Sequence, residues 1–259
     1  MLAIERRKGI LIRLQQDGKV LVNDLSHFYH VTEETIRRDL EKLEAEGIAK
    51  KTYGGAVLTD HLNVDLPYYV RKQTHVQSKE RIATMIAELI EDGDHIMLDA
   101  SSTAVYVIKK IKHLKNITLI TNSIEILLEL ADMTGWKVFS TGGTMKEGSF
   151  ALVGHQAEDM IDHFHVDKAI ISCKGIDREY GITDSNESDV EIKRHMVRAS
   201  RQVILAVDSS KFDKISFVRM GAFDQIDQIV TDSIPQKTWV EYMEQLGVEI
   251  LCPEKEGAR

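Results

Sequence analysis

The chain of 259 residues has only two cysteines, Cys173 and Cys252, far apart and in no C-x-x-C pair. That leaves neither a disulfide framework nor a zinc knuckle, and it fits a reducing compartment, so the expected location is the cytoplasm. Proline is scarce, three residues in all, and there is no internal repeat and no low-complexity segment. No stretch approaches the roughly 18 consecutive apolar residues of a membrane span. The opening MLAIERRKGI places charges where a secretory signal would carry its apolar core. A G-x-x-x-x-G-K-[ST] phosphate loop is missing, and so is a G-x-S-x-G elbow that would mark Ser101 or Ser102 as an acyl nucleophile. His155, His163 and His165 have no matching cysteine or carboxylate cluster, so no metal and no cofactor is expected. An excess of positive charge is lacking too, the formal net charge being −8.

What is present is a chain with 43% apolar and 29% charged residues, long enough for two domains with sizeable cores. Its acidity is unevenly spread. The first 58 residues carry 10 Lys/Arg against 9 Asp/Glu, so the acidic excess belongs to the remainder. A small head with a locally basic face is therefore compatible with an acidic body.

The head, residues 1–58, reads as three helices and a hairpin. Ile4, Arg7, Leu11 and Leu14 follow helical spacing until Asp17-Gly18. Val22, Leu25, Phe28 and Tyr29 mark a second short helix, and His30-Val31 a tight turn. Thr32 can cap a third helix that Gly47 ends, with Glu33 and Glu34 in the first turn where the dipole favours acids. Two short strands around Gly54-Gly55 follow. This is the order of a winged helix-turn-helix. On the third helix Ile36, Leu40 and Leu43 share one face, while Thr35, Arg38 and Lys42 gather on the far side, as a major-groove helix requires. Residues 47–58 contain no acid, so Lys50, Lys51 and Tyr53 can approach phosphates. A plainer account pairs Arg37 and Arg38 with Glu34 and Glu41 on a solvated face, at roughly 0.2–0.5 kcal/mol per pair.

Residues 59–77 lack periodicity and hold Pro67, and they are expected to connect the domains, with Leu66 and Tyr68-Tyr69 packing on one of them. From residue 78 to 259 helices and strands alternate. Strands are expected at 95–98, 117–121, 136–140, 168–172 and 203–207, and helices at 78–90, 103–111, 190–199 and 235–246. That alternation predicts an α/β domain with a mostly parallel sheet covered by helices. Ligands of such sheets bind at the carboxyl ends of the strands. The loops there read DASST, TNS, STGG, SCKGID and VDSSK. They supply Asp99, Ser101, Ser102, Thr103, Thr121, Asn122, Ser123, Gly142, Gly143, Lys174, Gly175, Asp177 and Lys211. Small residues and hydroxyls at a helix start make an anion site, and 99–103 is the best candidate for a phosphate. A simple strand-to-helix turn with Ser102 as cap is the competing account of that loop.

The stretch HVTEETIRRDLEKLEAEGIAKKTYGGAVL resembles the DeoR family of bacterial transcriptional regulators. The resemblance implies operator contacts from Thr35, Arg37, Arg38 and Lys42, and more loosely from Thr32, Lys50, Lys51 and Tyr53. The stretches LDASSTA, ITLITNS, STGG, KAIISCKGID, GITDSN, IKRHMV and VILAVDSSKF resemble the same family's sensor domain, which is similar in fold to ribose-5-phosphate isomerases and CoA transferases. Head and body together cover nearly the whole chain. The resemblance implies a phosphorylated sugar whose phosphate lies on 99–103 and whose hydroxyls meet the TNS, GID and SSK loops. The family's usual D-x-G-T-T is here Asp99-Ala100-Ser101-Ser102-Thr103, which keeps hydroxyls but loses the glycine. LDASST, SCKGID and TDSNE are similar to repressors of rhamnose catabolism, which implies a ketose 1-phosphate such as rhamnulose 1-phosphate.

The expectation is a repressor of a carbohydrate operon that binds double-stranded operator DNA and is released by its effector. It has no catalytic residue and no membrane partner. A homo-oligomer is expected, because one recognition helix buries too little surface for operator affinity. The 235–246 helix is either its interface or a cover for the sheet. The rival function is a sugar-phosphate isomerase, whose base would come from Asp177, Asp184, Glu187 or Glu191.

Overall fold

The computed structural model describes residues 1–58 and 67–253. The chain divides into two units, Met1–His75 and Val76–Arg259.

In the first unit, helix α1 (Ala3–Asp17) is followed by strand β1 (Lys19–Leu21), α2 (Val22–Tyr29), α3 (Glu33–Ala45), β2 (Ala49–Thr52), β3 (Gly55–Leu58) and α4 (Tyr68–Gln73). Gly18, at φ +72°, ends α1 and returns its N–H to Leu14 O at 3.0 Å. Thr32 caps α3 through its hydroxyl, which accepts the Thr35 N–H at 3.3 Å. The wing has three strands rather than the expected two, in antiparallel order β1-β3-β2. Gly55 lies so close to β1 that a Cβ there would collide with the Val20 carbonyl. The core joins Ile10, Leu11 and Leu14 of α1 to Leu25, Ile36, Leu40 and Leu43. Each fully buried Leu or Ile contributes about 1.5–3 kcal/mol.

Part of the stretch 59–77, expected to connect the domains with Tyr68-Tyr69 packing on one of them, belongs to the first unit. Residues 59–66, Leu66 among them, lie outside the described residues. Tyr68–Gln73, however, is a helix, and Val70 is fully buried in the first unit's core with Tyr69 packed against it. The next helix begins at Val76 rather than 78.

The second unit runs α5 (Val76–Ala87), β4 (His95–Leu98), α6 (Ser102–Ile111), β5 (Thr118–Thr121), α7 (Ile124–Glu129), β6 (Lys137–Ser140), β7 (Thr144–Lys146), β8 (Ala151–Val153), α8 (His155–Asp162) and β9 (Val166–Ile171). It continues with β10 (Gly175–Asp177), β11 (Gly181–Asp184), α9 (Glu187–Arg198), β12 (Ser200–Ala206), β13 (Val218–Gly221), β14 (Gln228–Val230), α10 (Lys237–Leu246) and β15 (Glu249–Leu251). Seven strands form one sheet in the order β15-β14-β12-β9-β4-β5-β6. Every ladder in it is parallel. The central strands are apolar runs, Ile96-Met97-Leu98 and Ala169-Ile170-Ile171, buried on both faces as a covered parallel sheet demands. A separate antiparallel sheet, β10-β11-β13, and the β7–β8 hairpin were not expected from the sequence. α10 covers the sheet: Trp239 and Met243 are fully buried in the core of this unit.

Candidate nucleic-acid interface and effector site

On α3 the apolar face turns inward, with Ile36, Leu40 and Leu43 buried, while Thr32, Arg37, Arg38 and Lys42 are exposed and Thr35 is half-buried. Lys50 is exposed on the wing and Tyr53 stands fully exposed at its tip, whereas Lys51 is half-buried. Of the plainer account given above, the Arg38–Glu34 pair is present and the partner of Arg37 differs. Arg37 pairs with Glu33 at 2.8 Å and Arg38 with Glu34 at 3.3 Å. Glu41 instead takes Lys51 Nζ at 2.9 Å. The Lys51 backbone N–H donates to Glu44 Oε1 at 2.9 Å, which ties wing to helix. The Arg38–Glu34 side chains are 74% and 64% exposed, so the pair is worth a few tenths of a kcal/mol and yields easily to a phosphate or a base.

Sequence reasoning missed what holds α3 in place. Asp39 is buried and accepts from Arg6 Nε at 2.5 Å, with Arg7 Nη1 3.6 Å from its other oxygen. The signal was an acid among the inward positions Ile36, Leu40 and Leu43.

In the second unit, β4 is the strand from which the chain winds outward both ways, to β5 and β6 on one side and to β9, β12, β14 and β15 on the other. The crevice of such a sheet opens at the carboxyl ends of the strands where the order reverses, here β4 and β9. Asp99 follows β4 and bridges this point. Its Oδ2 accepts the Ser172 N–H at 2.9 Å, at the end of β9, and its Oδ1 accepts the Ser101 N–H at 3.1 Å. The cap of α6 is Ser101, whose hydroxyl accepts the Ala104 N–H at 3.1 Å, and not Ser102. Ser102 and Thr103 are buried in the first helical turn, where backbone N–H groups have no intrahelical acceptor.

Parallel ladders put the ends of β4, β5, β6, β9 and β12 along one edge. Thr121 and Ser123 are there, each already engaged within the fold. The Thr121 hydroxyl donates to Leu98 O at 2.7 Å and accepts the Ser123 N–H, while Ser123 caps α7. Asn122, between them, donates from Nδ2 to Leu152 O at 3.0 Å, and its buried Oδ1 has no donor. Gly142 and Gly143 both have positive φ after β6, and a Cβ on Gly143 would stand 2.6 Å from Val153 O. Lys174 follows β9 and Lys211 follows β12, both half-buried. Gly175 is packed under Lys214, where a Cβ would collide with the Lys214 carbonyl. Asp177 belongs to the β10–β11 turn, its Oδ1 accepting the Glu179 and Tyr180 N–H groups at 2.8 and 3.0 Å.

Two charged residues of this site were not in the expected set. Lys193 of α9 is buried, hydrogen-bonded to Asp184 Oδ2 and 3.7 Å from Asp99 Oδ2. Burial works to raise the Asp184 carboxyl, but the Lys193 and Lys174 ammoniums outweigh it and hold it below the usual carboxylate range. Burial pushes the nearby Cys173 thiol up to about 12. Both members of the pair lie in stretches the sequence comparison had flagged, GITDSN and IKRHMV. Among the described residues no three His, Cys, Asp or Glu side chains gather as metal ligands.

Residues 6–61 match the DeoR-like helix-turn-helix domain and residues 74–233 the DeoR C terminal sensor domain. The uncharacterized HTH-type transcriptional regulator YulB of Bacillus subtilis is 37% identical over 250 residues, spanning 96% of each chain. The HTH-type transcriptional repressor GlcR of the same organism is 35% identical over 258 residues, spanning 98% of each. The glycerol-3-phosphate regulon repressor of Escherichia coli is 29% identical over 249 residues, 96% of this chain and 98% of that one. Among solved structures, ribose 5-phosphate isomerase A of Methanocaldococcus jannaschii shares 16% identity with a TM-score of 0.40, over 54% of this chain and 55% of that one. With matches over both units and full-length relatives, the chain belongs to the DeoR family of transcriptional regulators.

Proposed function

We propose that the protein represses a carbohydrate operon by binding double-stranded operator DNA through α3 and the wing, and that a phosphorylated sugar lowers that affinity. Thr35, Arg37, Arg38 and Lys42 face the DNA, with Thr32, Lys50, Lys51 and Tyr53 around them. The effector lies at the β4–β9 reversal, its phosphate on the start of α6 and its hydroxyls toward Asn122, Gly142 and Gly143, Lys174 and Lys211. The observation that carries this reading is the pairing of Asp99 with two backbone amides beside an unpartnered buried acceptor, Asn122 Oδ1. The carboxylate that would repel a phosphate is turned away. The orphan acceptor, costly to bury alone, gains a donor from a sugar hydroxyl. The effector must prefer the conformation or oligomer that fits DNA poorly, and the coupling is reciprocal. A ketose 1-phosphate such as rhamnulose 1-phosphate is the proposed effector, and a dimer or tetramer the proposed assembly.

The isomerase reading is weaker. Proton abstraction needs a carboxylate poised near neutral pH. Asp184 is held low by Lys193, Asp177 serves a turn, and Glu191 pairs with Arg194 at 2.5 Å. A thermal-shift screen of sugar phosphates tests the proposal, since a ligand of the folded state raises the melting temperature. Ketose 1-phosphates should raise it and should weaken operator binding. Ser102→Ala with Thr103→Val should lower that effector's affinity at least tenfold, about 1.4 kcal/mol. Turnover of a pentose or hexose phosphate, or unchanged affinity in the double variant, would overturn it.

A further inference from the structure

The Lys193 ammonium reaches carboxylates of both body sheets. It meets Asp184 at the end of β11 in the antiparallel sheet and Asp99 at the end of β4 in the parallel one. At 9% exposure it lies too deep to serve as a surface charge. α9 is fixed around it, with Asp189 held by Lys146 at 2.8 Å and Arg194 donating to the carbonyls of Arg219 and Met220. The ammonium therefore stands on a rigid helix and faces a carboxylate whose two oxygens already hold Ser101 and Ser172. We propose that Lys193 is a positioning residue of the effector site, acting through Asp99: it holds that carboxylate aimed at the Ser101 and Ser172 amides, so that the next amides of α6 are presented to an anion. This rests on the reading of α6 as the phosphate site. Two physical facts support it. A buried carboxylate stripped of its cation is uncompensated and turns toward water. That movement would release the Ser101 N–H and the geometry of the turn that starts α6.

The test is a double-mutant cycle read as the dissociation constant for inorganic phosphate and for rhamnulose 1-phosphate, obtained from thermal shift. It is run in an Asp184→Asn background, which removes the other carboxylate that Lys193 meets. Lys193→Met should weaken binding at least about tenfold when Asp99 is present, and less than about twofold when Asp99 is already Asn. Lys193→Arg in the otherwise unaltered chain should keep affinity within about threefold, because the cation is retained. Equal losses in both Asp99 backgrounds would make Lys193 a direct partner of the anion and overturn the proposal, as would no loss, or an arginine as poor as methionine. If a variant shows no cooperative unfolding, Asp99→Asn alone decides, since it leaves the Lys193–Asp184 pair intact. It should weaken phosphate about tenfold, and unaltered affinity would overturn the assignment. A parent protein that gives no shift with either probe overturns the effector site and this assignment together, whereas a shift with an additive cycle overturns this assignment alone.

Discussion

Arg38 spends its guanidinium on Glu34 in water, and that loose bond is what makes it available. Replacing Arg38 with alanine should cost about 1–3 kcal/mol of operator affinity and relax sequence preference, in a titration of operator against random DNA. Lys50→Ala should weaken both DNAs alike and lower the salt dependence, the mark of a phosphate contact. Wild-type values in both variants would mean that α3 does not lie in the groove. The two thiols should also separate. Cys173 is buried with its thiol pushed up to about 12, while Cys252 is half-buried near the surface. At pH 8 a disulfide reagent should modify one thiol per native chain and two per unfolded chain. Because the folded value of Cys173 is raised, its contribution to stability is present below the ordinary thiol range and lost as pH climbs toward about 12. Asp184 works in the opposite sense. Its folded value is lowered, so its contribution is present above the ordinary carboxylate range and disappears as acid takes the pH down through the folded value. Melting curves in Asp184→Asn should therefore lose part of the acid-side slope.

At the scale of the element, the clamp between α1 and α3 is the feature to break. Asp39→Ala strands the buried Arg6 without its partner. Breaking a buried pair on one side costs about 3–5 kcal/mol, enough to unfold a small unit, and operator binding should fall with it. Wild-type stability in chemical denaturation would show that α3 is placed by its apolar face alone. Elements of this head were largely legible. The 3.6-residue spacing of Ile36, Leu40 and Leu43 and the Thr32 cap gave α3 its place and its direction. In the body, runs such as 95–98 and 203–207 announced a parallel sheet. What escaped has a common cause. β1, β7, β10 and β14 have three residues each, too few for an alternation to register. α4 has six residues and exists by packing Val70 into the core, a gain no local pattern announces. The loops were legible as lying together at the strand ends, but the bonds within them were not. Whether Ser101 or Ser102 caps α6, or whether Thr121 has a free hydroxyl, depends on neighbours far along the chain. Lys193 had no signal of its own, and Asp184 stood out only as one of four candidate bases, until the fold buried them together.

For the whole molecule, two separate cores predict two unfolding events. Calorimetry should show transitions for the Met1–His75 and Val76–Arg259 units, with a sugar phosphate raising only the second, and raising it less in the Ser102→Ala/Thr103→Val variant. A single transition shifted as a whole would mean that the two units melt together. Sedimentation at micromolar concentration should give a dimer or larger species, since a single recognition helix supports only weak binding. The order of the large sheet also sets a timetable for the chain as it leaves the ribosome. β4 is the first strand made and lies in the middle, yet its partner β9 pairs Ile96 with Lys168, about seventy residues later. At about 5–20 residues per second, Met97 and Leu98 wait some 4–14 seconds with one side of their strand uncovered. During that interval the nascent chain carries a bare apolar edge behind a head whose residues have already emerged, and slowing translation between β5 and β9 should lengthen its exposure to aggregation.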